Sequence, residues 1–103
     1  MSEGVILAPT SEGKILVREF EIVNKRGLHA RASAKFVTLV SSFDAQLRVS
    51  KDGMDVGGDS IMGLMMLAAS PGCCITVTAS GPEAGEALTA LGAMIADMFG
   101  EGE

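Results

Sequence analysis

Residues 24–32 read Asn24-Lys25-Arg26-Gly27-Leu28-His29-Ala30-Arg31-Ala32. This segment joins an alternating apolar–polar run that ends near residue 23 to a run of helical spacing that begins near residue 30. It holds the only histidine of the chain, and an arginine follows two residues later. The N-terminus of a helix attracts anions through its free N–H groups and its dipole, so an imidazole and a guanidinium placed there can hold a phosphate.

The segments on both sides of this stretch predict strands and helices in alternation. Residues 15–23 alternate as in a strand with one buried face. Residues 30–42 have helical spacing, and the pattern favours four residues for the buried face of that helix: Ala30, Ala34, Val37 and Val40. Residues 46–56 form a predicted hairpin, because Asp52-Gly53 is a strong turn signal.

The second half of the chain continues this alternation. Asp59 and Ser60 are both suitable N-caps for a short helix that Pro71-Gly72 ends. Residues 75–79 alternate as a last strand, and a final helix follows Pro82. The order β-α-β-β-α-β-α predicts an α+β fold, an open-faced sandwich in which three helices cover one face of a four-stranded antiparallel sheet.

The predicted domain spans residues 15–100, with an N-terminal extension at 1–14 and a C-terminal tail at 101–103. The net charge of −5 and the absence of Trp and Tyr argue against nucleic-acid binding. No apolar run is long enough for membrane insertion and no secretory signal is visible, so we expect a cytoplasmic monomer. Cys73 and Cys74 are adjacent and are expected to place one thiol in the core and one near the surface, without a metal site.

The residues around His29 favour a role as a temporary phosphate holder. No carboxylate, Ser or Cys adjoins His29 in sequence, and the chain has no glycine-rich loop for ATP. Phosphoryl donor and acceptor must therefore come from outside, and no cofactor is required. Arg31 can pair with phosphoryl oxygens, and the backbone N–H groups of Ala30 and Arg31 can contact them. The simpler interpretation is that His29 is only a polar residue beside a helix N-cap.

Two segments resemble a known family. Gly27-Leu28-His29-Ala30-Arg31 resembles the active-site motif of HPr, the histidine-containing phosphocarrier of the bacterial phosphoenolpyruvate-dependent phosphotransferase system. Asp59-Ser60-Ile61-Met62-Gly63-Leu64-Met65 resembles the regulatory-serine segment of that family. The resemblance runs from about Ile15 to Phe99 and includes the element order.

The resemblance implies that His29 accepts a phosphoryl group at Nδ1 from Enzyme I and passes it to IIA-type proteins, with Arg31 pairing the phosphate. It also implies phosphorylation of Ser60 by an HPr kinase/phosphorylase in some relatives. The protein would then be a carrier rather than a stand-alone enzyme, in sugar uptake or in a nitrogen-related regulatory phosphorelay of the NPr type. Ala32 departs from the family, which usually has proline at this position. We expect the chemistry to survive this change, because either residue suits a first helical turn.

The short helix after Ser60 has more apolar residues than it can bury. By helical spacing we assign to the core the following residues: Leu64, Met66, Leu67 and Ala68. Ile61, Met62 and Met65 are left as an exposed cluster, here called the docking patch, which would suit several partners in turn.

Two other functions are compatible with the sequence. One is a small acyl-phosphate hydrolase on a similar α/β sandwich, which would use Arg31 and Asn24. The other is a non-catalytic regulatory domain that binds an effector or a partner through the docking patch.

Overall fold

The periodic segments of the chain form the elements that their patterns predict. The computed structural model describes residues 15–101, so the predicted extension at 1–14 lies outside the described residues. In chain order the elements are β1 Ile15–Glu21, α1 Ala30–Ser41, β2 Gln46–Lys51, β3 Met54–Gly57, α2 Ile61–Met66, β4 Cys74–Ser80, α3 Ala84–Ala96 and a 3-10 turn at Met98–Gly100. The predicted element order and the α+β class are confirmed.

The four strands form one antiparallel sheet in the order β1-β4-β2-β3. β4 lies in the middle and buries Ile75, Val77 and Ala79, the alternate residues that face the helices. Asp52 and Gly53 join β2 to β3 with φ of 51° and 84°, the left-handed pair that a tight hairpin turn requires. The helices cover one face of the sheet, and the other face carries mostly polar side chains, with Ile15 and Val17 as exposed apolar exceptions.

The rotation of α1 differs from the prediction. Its buried residues are Ala32, Ser33, Phe36 and Val40, whereas Ala30 is exposed and Ala34 and Val37 are only partly buried. Phe36 is the largest apolar side chain of the helix and is completely buried, so its packing fixes which side faces the sheet. Exposing Ala30 instead costs little, because its side chain has little apolar area.

The assignment of Met66 and Ala68 to the core was wrong. Leu64 and Leu67 are buried as predicted, but Met66 is 63% exposed and Ala68 is also exposed. α2 ends at Met66, and Ala68 has a φ of 53°. This left-handed residue turns the chain so that Ala69, rather than Ala68, enters the core.

The thiols also differ from the prediction, because neither lies in the core. Cys73 is half-buried and precedes β4, and Cys74 is exposed. The alternation of β4 points Ile75 into the core, and its neighbour Cys74 must therefore point away from it.

The last residues that the structure describes, 97–101, return to the N-terminal end of α1. After α3, Met98, Phe99 and Gly100 all have left-handed φ values of 55°, 54° and 76°. The Phe99 side chain is 1% exposed and anchors this turn in the core. The turn brings Glu101 to the segment that carries His29.

Candidate functional site

The loop before α1 is fixed by its contact with the loop between α2 and β4. The N–H of Leu28 donates to the carbonyl of Ala69 at 2.9 Å, and Leu28 itself is buried. Gly27 has a φ of 65° and lies so close to this carbonyl that an added Cβ would overlap its oxygen and come within 3.0 Å of Ser70 Cα. Only glycine fits this position, because the backbone is left-handed and because the carbonyl of Ala69 leaves no room for a Cβ atom. The next residue, His29, therefore has a defined place.

His29 is the N-cap of α1, with φ of −74° and ψ of −178°. Its carbonyl accepts the N–H of Ser33 at 2.8 Å, which is the first hydrogen bond of the helix. No side chain caps the helix here, and within residues 15–101 the N–H groups of Ala30 and Arg31 find no backbone carbonyl. The predicted position of His29 is therefore correct, and the helix presents free donors beside the imidazole ring.

A carboxylate that is distant in sequence completes the site. Glu101 contacts His29 Nε2 through its Oε2, and its Oε1 accepts a hydrogen bond from Asn24 Nδ2 at 3.1 Å. Asn24 is fully buried and also donates to the carbonyl of Gly27 at 2.8 Å. The side chains of His29 and Glu101 are only 16% and 12% exposed. The contact thus lies in a partly dry environment that strengthens it.

The charge state of Glu101 determines which nitrogen of His29 is free. Burial raises the pKa of the Glu101 carboxyl. Hydrogen bonds from His29 and Asn24 and the positive charges of His29 and Arg26 lower it, and together they outweigh burial. The pKa of Glu101 therefore lies below its usual value. An ionised carboxylate only accepts hydrogen bonds. The proton must therefore be on Nε2, and in the neutral ring Nδ1 then carries the lone pair.

Three cationic side chains line a pocket together with this ring. A pocket of about 320 Å³ is lined by Arg26, His29, Arg31, Lys35, Gly100 and Glu101. Arg31 is exposed and lies in the same pocket as His29, as predicted from their spacing. Lys35 follows one helical turn after Arg31, and its Nζ donates to the carbonyl of Phe99 at 2.7 Å. The three cations outnumber the one carboxylate of Glu101, so the pocket and the helix N-terminus beside it can attract an anion.

Three residues of this site were not predicted from sequence. Lys35 could have been found, because it stands four residues after Arg31 on a predicted helix. Arg26 stands three residues before His29, but nothing in a loop sequence indicates its direction. Glu101 lies in the segment 101–103 that was assigned to a tail, and its carboxylate touches His29 although 72 residues separate them. No local pattern could have revealed that contact.

The second predicted region is the start of α2, which packs against α1. Ser60 is the N-cap, and its Oγ accepts the N–H of Gly63 at 2.9 Å, which confirms the capping role that the sequence allowed. The docking patch is exposed on this helix, with Ile61 at 39%, Met62 at 70% and Met65 at 40%. Met66 extends the exposed apolar surface beyond the three predicted residues.

Two further structural findings concern metals and membranes. Over residues 15–101, no three His, Cys, Asp or Glu side chains come close enough together to hold a metal ion. In the same range, every helix is too short or too polar to span a bilayer.

Comparison with known proteins identifies the class. The family model described as "PTS HPr component phosphorylation site" matches residues 16–97. The HPr phosphocarrier protein of Cupriavidus necator is 51% identical over 89 residues, which is 86% of this chain and all of that protein. The NPr phosphocarrier protein of Shewanella violacea is 38% identical over 84% of this chain and 94% of its own. The protein is thus a phosphocarrier of the phosphotransferase system.

Solved structures agree with this class. The crystal structure of HPr-C-His from Thermoanaerobacter tengcongensis has a TM-score of 0.79 and 43% identity, over 84% of this chain and 97% of that one. HPr from Bacillus anthracis has a TM-score of 0.73 and 42% identity, over 77% and 94%. The chain belongs to the HPr family, and the resemblance seen in its two motifs is confirmed.

Proposed function

We propose that this phosphocarrier accepts a phosphoryl group on His29 Nδ1 from phosphoenolpyruvate-charged Enzyme I and passes it to IIA-type proteins. One observation carries the proposal: His29 lies at an uncapped helix N-terminus while Glu101 engages its Nε2. The nucleophilic lone pair is thereby left on Nδ1. The free N–H groups of Ala30 and Arg31 are available to the incoming phosphoryl oxygens.

The transfer step balances without any further reagent. The Nδ1 lone pair attacks phosphorus, the N–P bond forms, and the bond from phosphorus to the donor breaks with its electron pair left on the donor. The ring keeps its Nε2 proton and becomes positively charged. Glu101 stabilises that positive charge, as the carboxylate partner of a catalytic histidine does. Reversal of the same step, with a new acceptor as nucleophile, releases the phosphoryl group.

The surroundings of His29 suit reversible transfer. Arg31 can pair with the phosphoryl oxygens, and Arg26 and Lys35 add positive charge around the same pocket. The pocket is open at the surface, so water screens these charges and weakens their hold on the phosphoryl group. A carrier that bound its phosphoryl group much more tightly would slow the onward transfer.

Partner recognition is proposed for the start of α2. Ile61, Met62 and Met65 expose apolar area that a partner could cover. A phosphate on Ser60 would lie among these residues and would change the charge of that surface. We propose that phosphorylation of Ser60 by an HPr kinase/phosphorylase hinders transfer to His29. The nearby cationic pocket would suit acidic partner surfaces.

The hydrolase alternative receives no support from the position of Asn24. Its side chain is fully buried, and its amide group donates to Gly27 and to Glu101. Asn24 therefore positions Gly27 and Glu101 from the buried side of the site and does not reach a substrate in the pocket. The similarity to both HPr and NPr proteins is compatible with sugar uptake and with a regulatory phosphorelay.

The test is incubation with phosphoenolpyruvate and Enzyme I. Wild type should take up one phosphoryl group that is acid-labile and base-stable, and His29→Ala should take up none. Lys25→Ala is a matched control, because it removes a nearby exposed charge without touching the ring. Equal labelling of His29→Ala and wild type would exclude this site.

Regulation by Ser60 needs a separate experiment. Ser60→Asp should slow the labelling of His29, whereas Asp59→Asn, a change at the neighbouring exposed residue, should not. A Ser60→Asp protein labelled at the wild-type rate would argue against the regulatory role.

A further inference from the structure

The contact between Glu101 and His29 depends on an unfavourable piece of backbone. Met98 and Phe99 are non-glycine residues with left-handed φ values of 55° and 54°. A Cβ atom disfavours this conformation relative to ordinary helical geometry. A turn of this kind persists only if the surrounding structure holds it.

Four side chains hold the turn and its carboxylate. Phe99 is buried in the core, but its backbone carbonyl points back to α1, where Lys35 Nζ donates to it at 2.7 Å. Two residues further along, Asn24 and His29 bind the two oxygens of Glu101. Lys35 is thus the link between α1, which carries His29 at its start, and the turn that carries Glu101.

We infer that Lys35 is a positioning residue for phosphoryl transfer: it ties the turn at 98–100 to α1 and so keeps Glu101 on His29 Nε2. This inference rests on the proposed function, because it concerns the reactivity of His29 Nδ1. This positioning role runs through Glu101 and is separate from the positive charge that Lys35 adds to the pocket. Lys35 lines the pocket together with Arg31, yet its ammonium group is engaged with a carbonyl.

The hydrogen bond of Lys35 is chemically suited to this task. A charged donor on a neutral carbonyl is stronger than the average protein hydrogen bond. The carbonyl of Phe99 lies at the end of a short turn, where carbonyls lack partners within the helix. A flexible four-carbon stem lets the ammonium reach it from α1. Gly100, the residue after Phe99, has a φ of 76°, a left-handed conformation that glycine adopts readily.

The test compares Lys35→Met with Lys35→Arg. Methionine keeps an unbranched apolar stem but cannot donate, whereas arginine keeps the charge and the donors. The Nε2 proton of His29 is followed by nitrogen-15 NMR in the unphosphorylated protein, where a held proton exchanges slowly with water. Phosphoryl uptake from Enzyme I is measured on the same samples, and Lys25→Ala is the charge control.

The inference predicts that Lys35→Met loses the slowly exchanging Nε2 proton of His29. It should also take up the phosphoryl group about tenfold more slowly, a decrease of the size that a small misplacement of a reacting group produces. Lys35→Arg should largely restore both, and Lys25→Ala should change neither. An unaltered Nε2 proton in Lys35→Met would overturn the inference. If the proton depends on Lys35 but wild type takes up no phosphoryl group, the positioning contact stands and the proposed function fails.

Discussion

Replacement of Gly27 by alanine tests how the loop places His29. Gly27 has a φ of 65°, and an added methyl group would overlap the carbonyl oxygen of Ala69. That carbonyl accepts the N–H of Leu28, the residue directly before His29. The methyl group must therefore displace the contact that fixes the start of α1.

The size of the effect follows from two contributions. A non-glycine residue in the left-handed region costs about 1–2 kcal/mol. Loss of the Leu28–Ala69 hydrogen bond adds about 1 kcal/mol. Gly27→Ala should therefore lower the free energy of unfolding by about 2–3 kcal/mol, which corresponds to a decrease in Tm of roughly 10–20 °C for a domain of this size.

Gly72→Ala is the matched control. Gly72 has a φ of 89°, but an added Cβ would meet no atom within 4 Å, so only the backbone contribution applies. In urea unfolding, Gly72→Ala should lose less free energy of unfolding than Gly27→Ala. The difference should be about 1 kcal/mol, the contribution of the Leu28–Ala69 hydrogen bond. Folded Gly27→Ala should also accept phosphoryl more slowly than folded Gly72→Ala. Equal stabilities of the two variants would refute the argument that contact with Ala69 fixes the loop.

Three further predictions concern the cap, the carboxylate and the docking patch. Ser60→Ala should lower the free energy of unfolding by about 1 kcal/mol in urea titrations, because it removes the hydrogen bond that caps α2, and no loss would contradict the capping role. The pKa of Glu101 is lower in the folded protein than in the unfolded chain, so the ionised carboxylate stabilises the fold at a pH above the ordinary carboxyl pKa. This stabilisation is lost as the pH falls through the pKa of Glu101 in the folded protein. In Glu101→Gln, the free energy of unfolding should therefore decrease less steeply as the pH is lowered. An unchanged decrease at acid pH would argue against this contribution. Met62→Ala combined with Met65→Ala should weaken Enzyme I binding in calorimetric titrations while Tm changes little, since both side chains are exposed, and equal affinity would exclude the docking role.

Local patterns were sufficient to predict the fold. Asp52-Gly53 marks the hairpin because the turn needs two left-handed residues, and the structure has them there. Strands such as β4 were predictable because their alternation reflects one buried face. The rotation of α1 was not, because the packing of Phe36 against distant residues decides it.

The candidate site was predictable only in part. His29 and Arg31 lie within one short segment, so their proximity could be read from the sequence. Glu101 reaches His29 only because the turn at 98–100 is left-handed, a conformation that the sequence indicates at Gly100 but not at Phe99. Contacts of this kind depend on tertiary structure and have no local signature.

Nitrogen-15 NMR of the phosphorylated protein with labelled histidine shows directly which ring nitrogen of His29 carries the phosphoryl group. Because His29 is the only histidine, the spectrum contains a single imidazole ring and needs no assignment by mutation. The contact of Glu101 with Nε2 predicts that the phosphoryl group is bonded to Nδ1 and that Nε2 keeps its proton. A phosphoryl group on Nε2, or a phosphorylated protein with an unmodified ring, would contradict the proposal that Glu101 leaves Nδ1 as the nucleophile.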